Sequence, residues 1–242
     1  MYKLGIACGA AALLLAAAPA SAITTFADFS PASDISNVSY TGALDGSGTI
    51  TSTASPVKFS FLNPDGTSSP ITFDALMDLS AVTGTAQVFS GLAILPISAG
   101  TIAFTTASAV TYNGHTGTNL LTVTFDGGAL TGALGGSTAN YGASTPPYSV
   151  NFTSDFLDFS GSTTRDLALA IDAINPTVGF AFGSSRFNAG TVTGNFGADI
   201  STGLPQGVVP EPASWAMMLC GFGLAGTVLR SQRRRSTDIS FG

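Results

Sequence analysis

His115 is the only histidine in the chain, so a relay of the Ser-His-Asp kind would have to run through it. It stands in Asn113-Gly114-His115-Thr116-Gly117, a hairpin-like turn where a solvated polar residue is the default. No G-x-S-x-G elbow accompanies it. Carboxylates are the other candidates, because two of them at a suitable separation act as acid and base on a glycosidic bond. Asp155 and Asp158 are three positions apart, which on a strand sets them on opposite faces. Asp65 and Asp126 lie in turn sequences, where aspartate commonly shapes the backbone. The expectation is therefore that no residue here is catalytic and that the aspartates serve turns and solubility; an acid–base pair assembled from distant positions is the alternative. Acidic loops also offer the oxygen ligands that calcium takes. No EF-hand spacing or nonapeptide repeat is present, so no metal or other cofactor is expected. Tyr112, Tyr141 and Tyr148, if exposed, would form a surface for stacking on sugars; with Pro146 and Pro147 beside them they suit loop packing equally well.

The elements that must position these residues read as strands. Val57, Phe59 and Phe61 alternate with Lys58 and Ser60, and Leu121, Val123 and Phe125 alternate with Thr122 and Thr124. That period of two puts the apolar set on one face. Ile102 and Phe104, Val150 and Phe152, and Val178, Phe180 and Phe182 repeat the pattern. Turn signals stand between them: Asn63-Pro64-Asp65-Gly66, Asn113-Gly114, Asp126-Gly127-Gly128, Pro146-Pro147 and Asn175-Pro176. Leu167, Leu169 and Ile171 alternate with Ala168 and Ala170, so Thr164 to Ile174 suits a strand better than a helix. Phe73 to Val82 is ambiguous, with Ala75, Leu76 and Met77 able to form a short helix. Gly127 to Pro147 shows no clear period and reads as a long loop or ragged edge strand. Many short strands with frequent turns predict an all-β domain, an antiparallel sandwich or jelly roll over residues 23–207.

The two ends of the chain differ from this middle. Met1 to Ala22 carries one early charge at Lys3, an apolar run from Ile6 to Ala18 and the small-x-small ending Ala20-Ser21-Ala22. Those are the parts of a secretory signal peptide, cut after Ala22 by signal peptidase so that the mature chain begins at Ile23. Cys8 lies in that segment and Cys220 near the other end, so the exported part has no disulfide and no thiolate chemistry. Between Ile23 and Pro212, twelve Asp and Glu211 face only Lys58, Arg165 and Arg186, a balance of −10. Such a surface repels nucleic acid and anionic lipid, which sets nucleic-acid recognition aside.

Ala213 to Leu229 is an uncharged stretch of the length of a short transmembrane helix, and Arg230, Arg233, Arg234 and Arg235 follow it. Positive charge is held on the cytoplasmic side, so the domain would be outside, with 236–242 a cytoplasmic tail. Trp215 sits near the outer boundary, where an amphipathic ring is at home. Gly221-Phe222-Gly223-Leu224-Ala225-Gly226 has the letters of a dinucleotide fingerprint without a preceding strand or a βαβ unit, and its small residues suit close helix approach instead.

Before the helix stands Pro210-Glu211-Pro212-Ala213-Ser214-Trp215-Ala216. With the apolar segment and the arginines, residues 208–235 resemble the PEP-CTERM sorting signal in its PEPxxWA form. The seven-residue extension beyond the arginines departs from many family tails. The resemblance implies a Gram-negative bacterium that makes extracellular polysaccharide, and recognition of Pro210, Glu211, Pro212, Trp215 and the arginines by an exosortase. It implies a chain held transiently in the inner membrane by its C-terminal helix, then cut near the Pro-Glu-Pro and passed to the cell surface or biofilm matrix. The two prolines supply a physical reason for the motif: each fixes φ and biases its predecessor away from helix, keeping the stretch extended and accessible. The expected function is that of a non-enzymatic envelope or exopolysaccharide-matrix protein, with extracellular polysaccharide as a further partner. A secreted hydrolase using Asp residues, or an adhesin-like carbohydrate-binding module, is the alternative.

Overall fold

The computed structural model describes residues 23–33, 36–43, 45–62, 69–175 and 186–199, all within one compact unit, Ile23–Gly207. The expected signal peptide with Ala20 and Ala22, the sorting tail with its helix over 213–229, the turn at Asn63-Pro64-Asp65-Gly66 and the Val178, Phe180, Phe182 strand lie outside the described residues.

Thirteen strands are described: β1 (Thr24–Pro31), β2 (Val38–Gly42), β3 (Gly48–Phe61), β4 (Ile71–Thr83), β5 (Gln87–Phe89), β6 (Leu92–Tyr112), β7 (His115–Asp126), β8 (Ala129–Ala133), β9 (Ala139–Thr145), β10 (Ser149–Thr153), β11 (Arg165–Asp172), β12 (Arg186–Ala189) and β13 (Thr191–Ala198). Every pairing is antiparallel, as the sequence implies. β4 settles the helix-or-strand ambiguity, because Ala75, Met77, Leu79 and Ala81 are buried at a period of two. The stretch without a clear period holds β8 and β9.

Several strands are halves of one stave. β1 and β2 both pair β3 along one edge, β4 and β5 both pair β6, and β7 and β8 lie end to end on the opposite edge of β6. β10 and β9 follow along β7 and β8, and β12 and β13 along β2 and β1. β9 then pairs β11, and β11 pairs β13. The pairings β1, β3, β4, β6, β8, β9, β11, β13 and back to β1 therefore close a ring of eight staves, each beside its neighbour in sequence. This up-and-down closure differs from the crossing connections of a jelly roll and gives every ring strand two neighbours, while among the described residues β10 and β12 each keep one unpaired edge. The physical reason lies in the breaks between half-strands. Gly127 and Gly128 both have φ of +74°, a region glycine enters without strain, so Asp126-Gly127-Gly128 kinks a stave instead of reversing the chain. Asn113 and Gly114, at φ of 52° and 79°, do reverse it, in the two-residue hairpin their types predict.

The interior is packed. Phe26, Phe29, Phe59, Phe61, Phe104 and Phe196 are almost wholly buried, and an inserted residue at Ala54 switches the parity of β3. Ile50 and Ser52 point inward before it, and Val57, Phe59 and Phe61 after it. Outward positions carry Thr49, Thr51, Lys58, Thr72, Asp74 and Ser80. An apolar inside with a hydroxyl-rich outside is the reverse of the pattern in a barrel facing lipid along its sides. Among the described residues no helix is long and apolar enough to cross a membrane.

Candidate functional site

The aspartates are mostly engaged with backbone. Asp78 Oδ1 accepts the Ala54 N–H at 2.9 Å, holding the bulge whose φ is 45°. Asp126 Oδ1 accepts from Ser149 N at 2.7 Å. Asp45 takes both the N–H and the hydroxyl of Ser47, which lowers its pKa from the ordinary carboxylate value. Asp74 pairs with Lys58 on the outer face. Asp155 and Asp158 do not share a strand: they lie in the segment after β10. There Asp155 Oδ2 accepts from Thr118 N and Asn119 N at 2.9 and 2.8 Å. Asp158 turns back on Ser160, whose backbone and hydroxyl bonds hold its carboxyl low. Among the described residues no group of three or more His, Cys, Asp or Glu is placed to hold a metal ion.

One end of the barrel is closed by the segment 154–164, which inserts Phe156, Leu157 and Phe159 into the core. Asp199, at the end of β13, is its latch. Its Oδ1 accepts from the Ser162 hydroxyl at 2.7 Å and from the N–H groups of Thr163 and Thr164 at 2.9 Å each. Its Oδ2 accepts from the Thr163 hydroxyl at 2.7 Å. Burial alone would push this carboxyl up, but the four bonds outweigh it and hold it well below the usual carboxylate range. Arg165 braces the same segment, donating through Nη2 to the Phe159 and Ser162 carbonyls at 3.0 Å each. Sequence reading missed both residues; the signal available was the isolation of Arg165 among so few cations, with Ser162-Thr163-Thr164 just before it.

His115 is exposed and opposite Tyr112 across the hairpin. The tyrosines do not form one surface. Tyr141 is inside, its hydroxyl donating to the Gly127 carbonyl at 2.9 Å, and burial first, then Asp126, raises its pKa far above normal. Tyr112 stacks on Phe61 with ring centroids 4.4 Å apart. Only Tyr148 is exposed, at 42%.

A surface unremarked in the sequence lies on the outer faces of β1, β13, β11 and β9, an open trough of about 610 Å³. Register sets Asp28 beside Asn195, Asn195 beside Ala168 and Ala168 beside Gly142. One step along, Thr193, Ala170 and Asn140 form a second row. Alanine and glycine make the floor, and amides, hydroxyls and one carboxylate make the walls. Among the described residues the side chains of Asp28, Asn140, Thr193 and Asn195 have no hydrogen-bond partner, so their polar capacity is available to a ligand. Among the described residues no basic one lines the trough.

The described residues thus define a packed antiparallel barrel, polar outside, whose carboxylates mainly hold backbone. The marker of the chain's traffic is separate: residues 208–235 match the PEP-CTERM protein-sorting motif, a span that contains Pro210, Glu211, Pro212, Trp215 and the four arginines. The motif implies export, processing by exosortase and a membrane-associated processing step. Among curated proteins and solved structures nothing matches the chain.

Proposed function

We propose that the protein is a non-enzymatic component of the cell envelope or extracellular polysaccharide matrix, delivered there by cleavage of its sorting tail. The observation that carries this reading is the employment of the carboxylates: Asp45, Asp78, Asp126, Asp155, Asp158 and Asp199 each accept a backbone N–H. Those bonds tie the carboxylates to the backbone, and they hold Asp45, Asp158 and Asp199 below the ordinary carboxylate range, the opposite of a general acid poised to donate. The tail supplies the route. Signal peptidase releases Ile23, the apolar helix holds the chain in the inner membrane with the barrel outside, and exosortase cuts near Pro210 to Pro212.

The test is the intact mass of the protein recovered from producing cells with and without their exosortase. A chain running from Ile23 to the region of Pro210–Pro212, seen only with the enzyme, is the expected result. A form that keeps Trp215 and the arginines in both strains makes the tail a plain anchor and overturns release. Polysaccharide hydrolysis by residues 23–207, lost on Asp→Asn substitution, overturns the non-enzymatic reading. Glu211→Ala is expected to change processing while leaving the thermal unfolding of the barrel unmoved.

The trough favours one second reading, an adhesin-like carbohydrate-binding module. Free amides and hydroxyls over small apolar floor residues match the alternating polar and apolar faces of a sugar chain. Titration of neutral oligosaccharides into wild-type and Asn140→Ala/Asn195→Ala barrels checks it; equal heats from both variants would remove it.

A further inference from the structure

At the end opposite the Asp199 latch the barrel carries an apolar crest. The two-residue turn Ser90–Gly91, with φ of 50° and 81°, sets Phe89 directly across from Leu92 on one face of its hairpin. Val88 lies on the other face, across from the buried Ala93. Leu134 rides on the crest, its N–H donating to the Gly91 carbonyl at 2.8 Å. Phe89 is 73% exposed, Val88 58%, Leu134 49% and Leu92 41%. These are four of the eight large apolar side chains exposed among the described residues, gathered on two adjoining turns. A Cβ at Gly91 or Gly135 would meet nothing within 4 Å, so both turns project into open space.

Three observations select what covers this crest. The apolar residues occupy both faces and the summit of a protrusion, so a medium that surrounds it fits better than a partner that covers one side. Four side chains fall far short of the roughly 800 Å² that each copy contributes to a standard protein interface. No Asp, Glu, Lys or Arg occurs between Asp78 and Asp126 or between Asp126 and Asp155, so the crest is uncharged on an otherwise acidic domain. Asp45 lies behind the tip, its backbone carbonyl accepting from the Thr85 hydroxyl, a few residues from Val88. A depth of one or two residues, roughly 5–10 Å, is that of shallow insertion at the headgroup and acyl boundary.

We infer that Val88, Phe89, Leu92 and Leu134 form a lipid-contacting tip that inserts shallowly into a leaflet of low negative charge. The barrel sides stay in water, since their outward residues are polar. Acidic lipid weakens the contact, because Asp45 and the rest of the acidic barrel approach the surface with the tip.

The ring and core are complete within the barrel, so residues 23–207 are the probe, free of the sorting helix. The only tryptophan of the chain, Trp215, lies outside that span, so Phe89→Trp gives a single reporter. With phosphatidylcholine vesicles its emission is expected to shift to the blue and to be quenched by brominated acyl chains. Added phosphatidylglycerol should reduce both, and Phe89→Asp should abolish co-flotation with circular dichroism unchanged. Emission unaffected by vesicles, with no co-flotation of the wild-type barrel, overturns the proposal. Concentration-dependent self-association in sedimentation, lost in Phe89→Asp and unaffected by vesicles, overturns it in favour of a second copy. Neither outcome touches the processing of the tail, which the intact-mass test reads separately.

Discussion

At the latched end of the barrel ten phenylalanines interlock, from Phe26 against Phe159 at 5.1 Å between centroids to Phe29 against Phe104 at 4.7 Å. The segment 154–164 lies over them. At the crest end Ile50, Leu79, Ala81, Ile97, Leu130, Leu169 and Ile171 surround a void of about 20 Å³, and the turns beyond it expose apolar side chains. The first end is finished for stability, with hydrogen bonds and rings closing the places where water would enter. The second end leaves apolar area uncovered and one small gap unfilled. The difference teaches that order and interaction are divided along the barrel axis: the end that carries the chain onward is sealed, and the end far from it is free to meet something else.

The largest expected effect would break the comparison at the sealed end. Phe104 touches the rings of Phe29, Phe59 and Phe196, and Phe104→Ala is expected to cost about 4 kcal/mol in urea denaturation. A loss below about 1 kcal/mol would mean that the aromatic cluster is not what holds this end. Next is the latch: Asp199→Asn is expected to cost about 2 kcal/mol at pH 7, the scale of hydrogen bonds to a charged acceptor. Because the folded carboxyl is held below its unfolded value, its contribution is present above about pH 4 and fades as pH falls through the folded pKa. The gap between wild type and Asp199→Asn should therefore narrow on acidification below about pH 4, and a constant gap would assign the loss to packing. A matched pair sharpens the contrast. Ala27→Val adds two methyl groups to a filled core and should cost about 1–3 kcal/mol, whereas Ala81→Val faces the void and should gain about 0.5–1 kcal/mol. Equal losses would show that both ends are packed alike. The smallest effect belongs to neither end: Lys58→Ala removes an exposed ion pair and should shift stability by less than about 0.5 kcal/mol.

Much of this was legible in residue types. Period-two runs such as Val57, Phe59, Phe61 and Leu121, Val123, Phe125 name strands and their inward faces, and Asn113-Gly114 names its hairpin, because both are local consequences of side-chain direction and φ. The sorting motif was legible for the same reason, as a contiguous stretch. Closure into a ring was not, since it depends on the pairing of Thr24 with Ala198, the two ends of the domain, which no local pattern carries. The reading that sets Asp155 and Asp158 on opposite faces of a strand does not apply, because β10 stops at Thr153 and the chain turns to bury Phe156. Tyr141 is a core residue and Tyr112 packs half-buried against the core for a similar reason: residue type and neighbours say nothing about which face the strand turns inward. The trough and the apolar crest are assembled from four strands and two turns, and each became visible only when register placed those residues side by side.

The pairing of Thr24 with Ala198 also decides how the barrel would carry mechanical load. A pull that reaches Asp199 along the chain enters β13 parallel to its axis, and β13 is bonded to β1 on one edge and β11 on the other. Against an anchor at the far end of the barrel the two ladders slide together, a loading in shear. Against an anchor at residue 24, which sits beside residue 198, the β1–β13 ladder instead opens one bond at a time from that end.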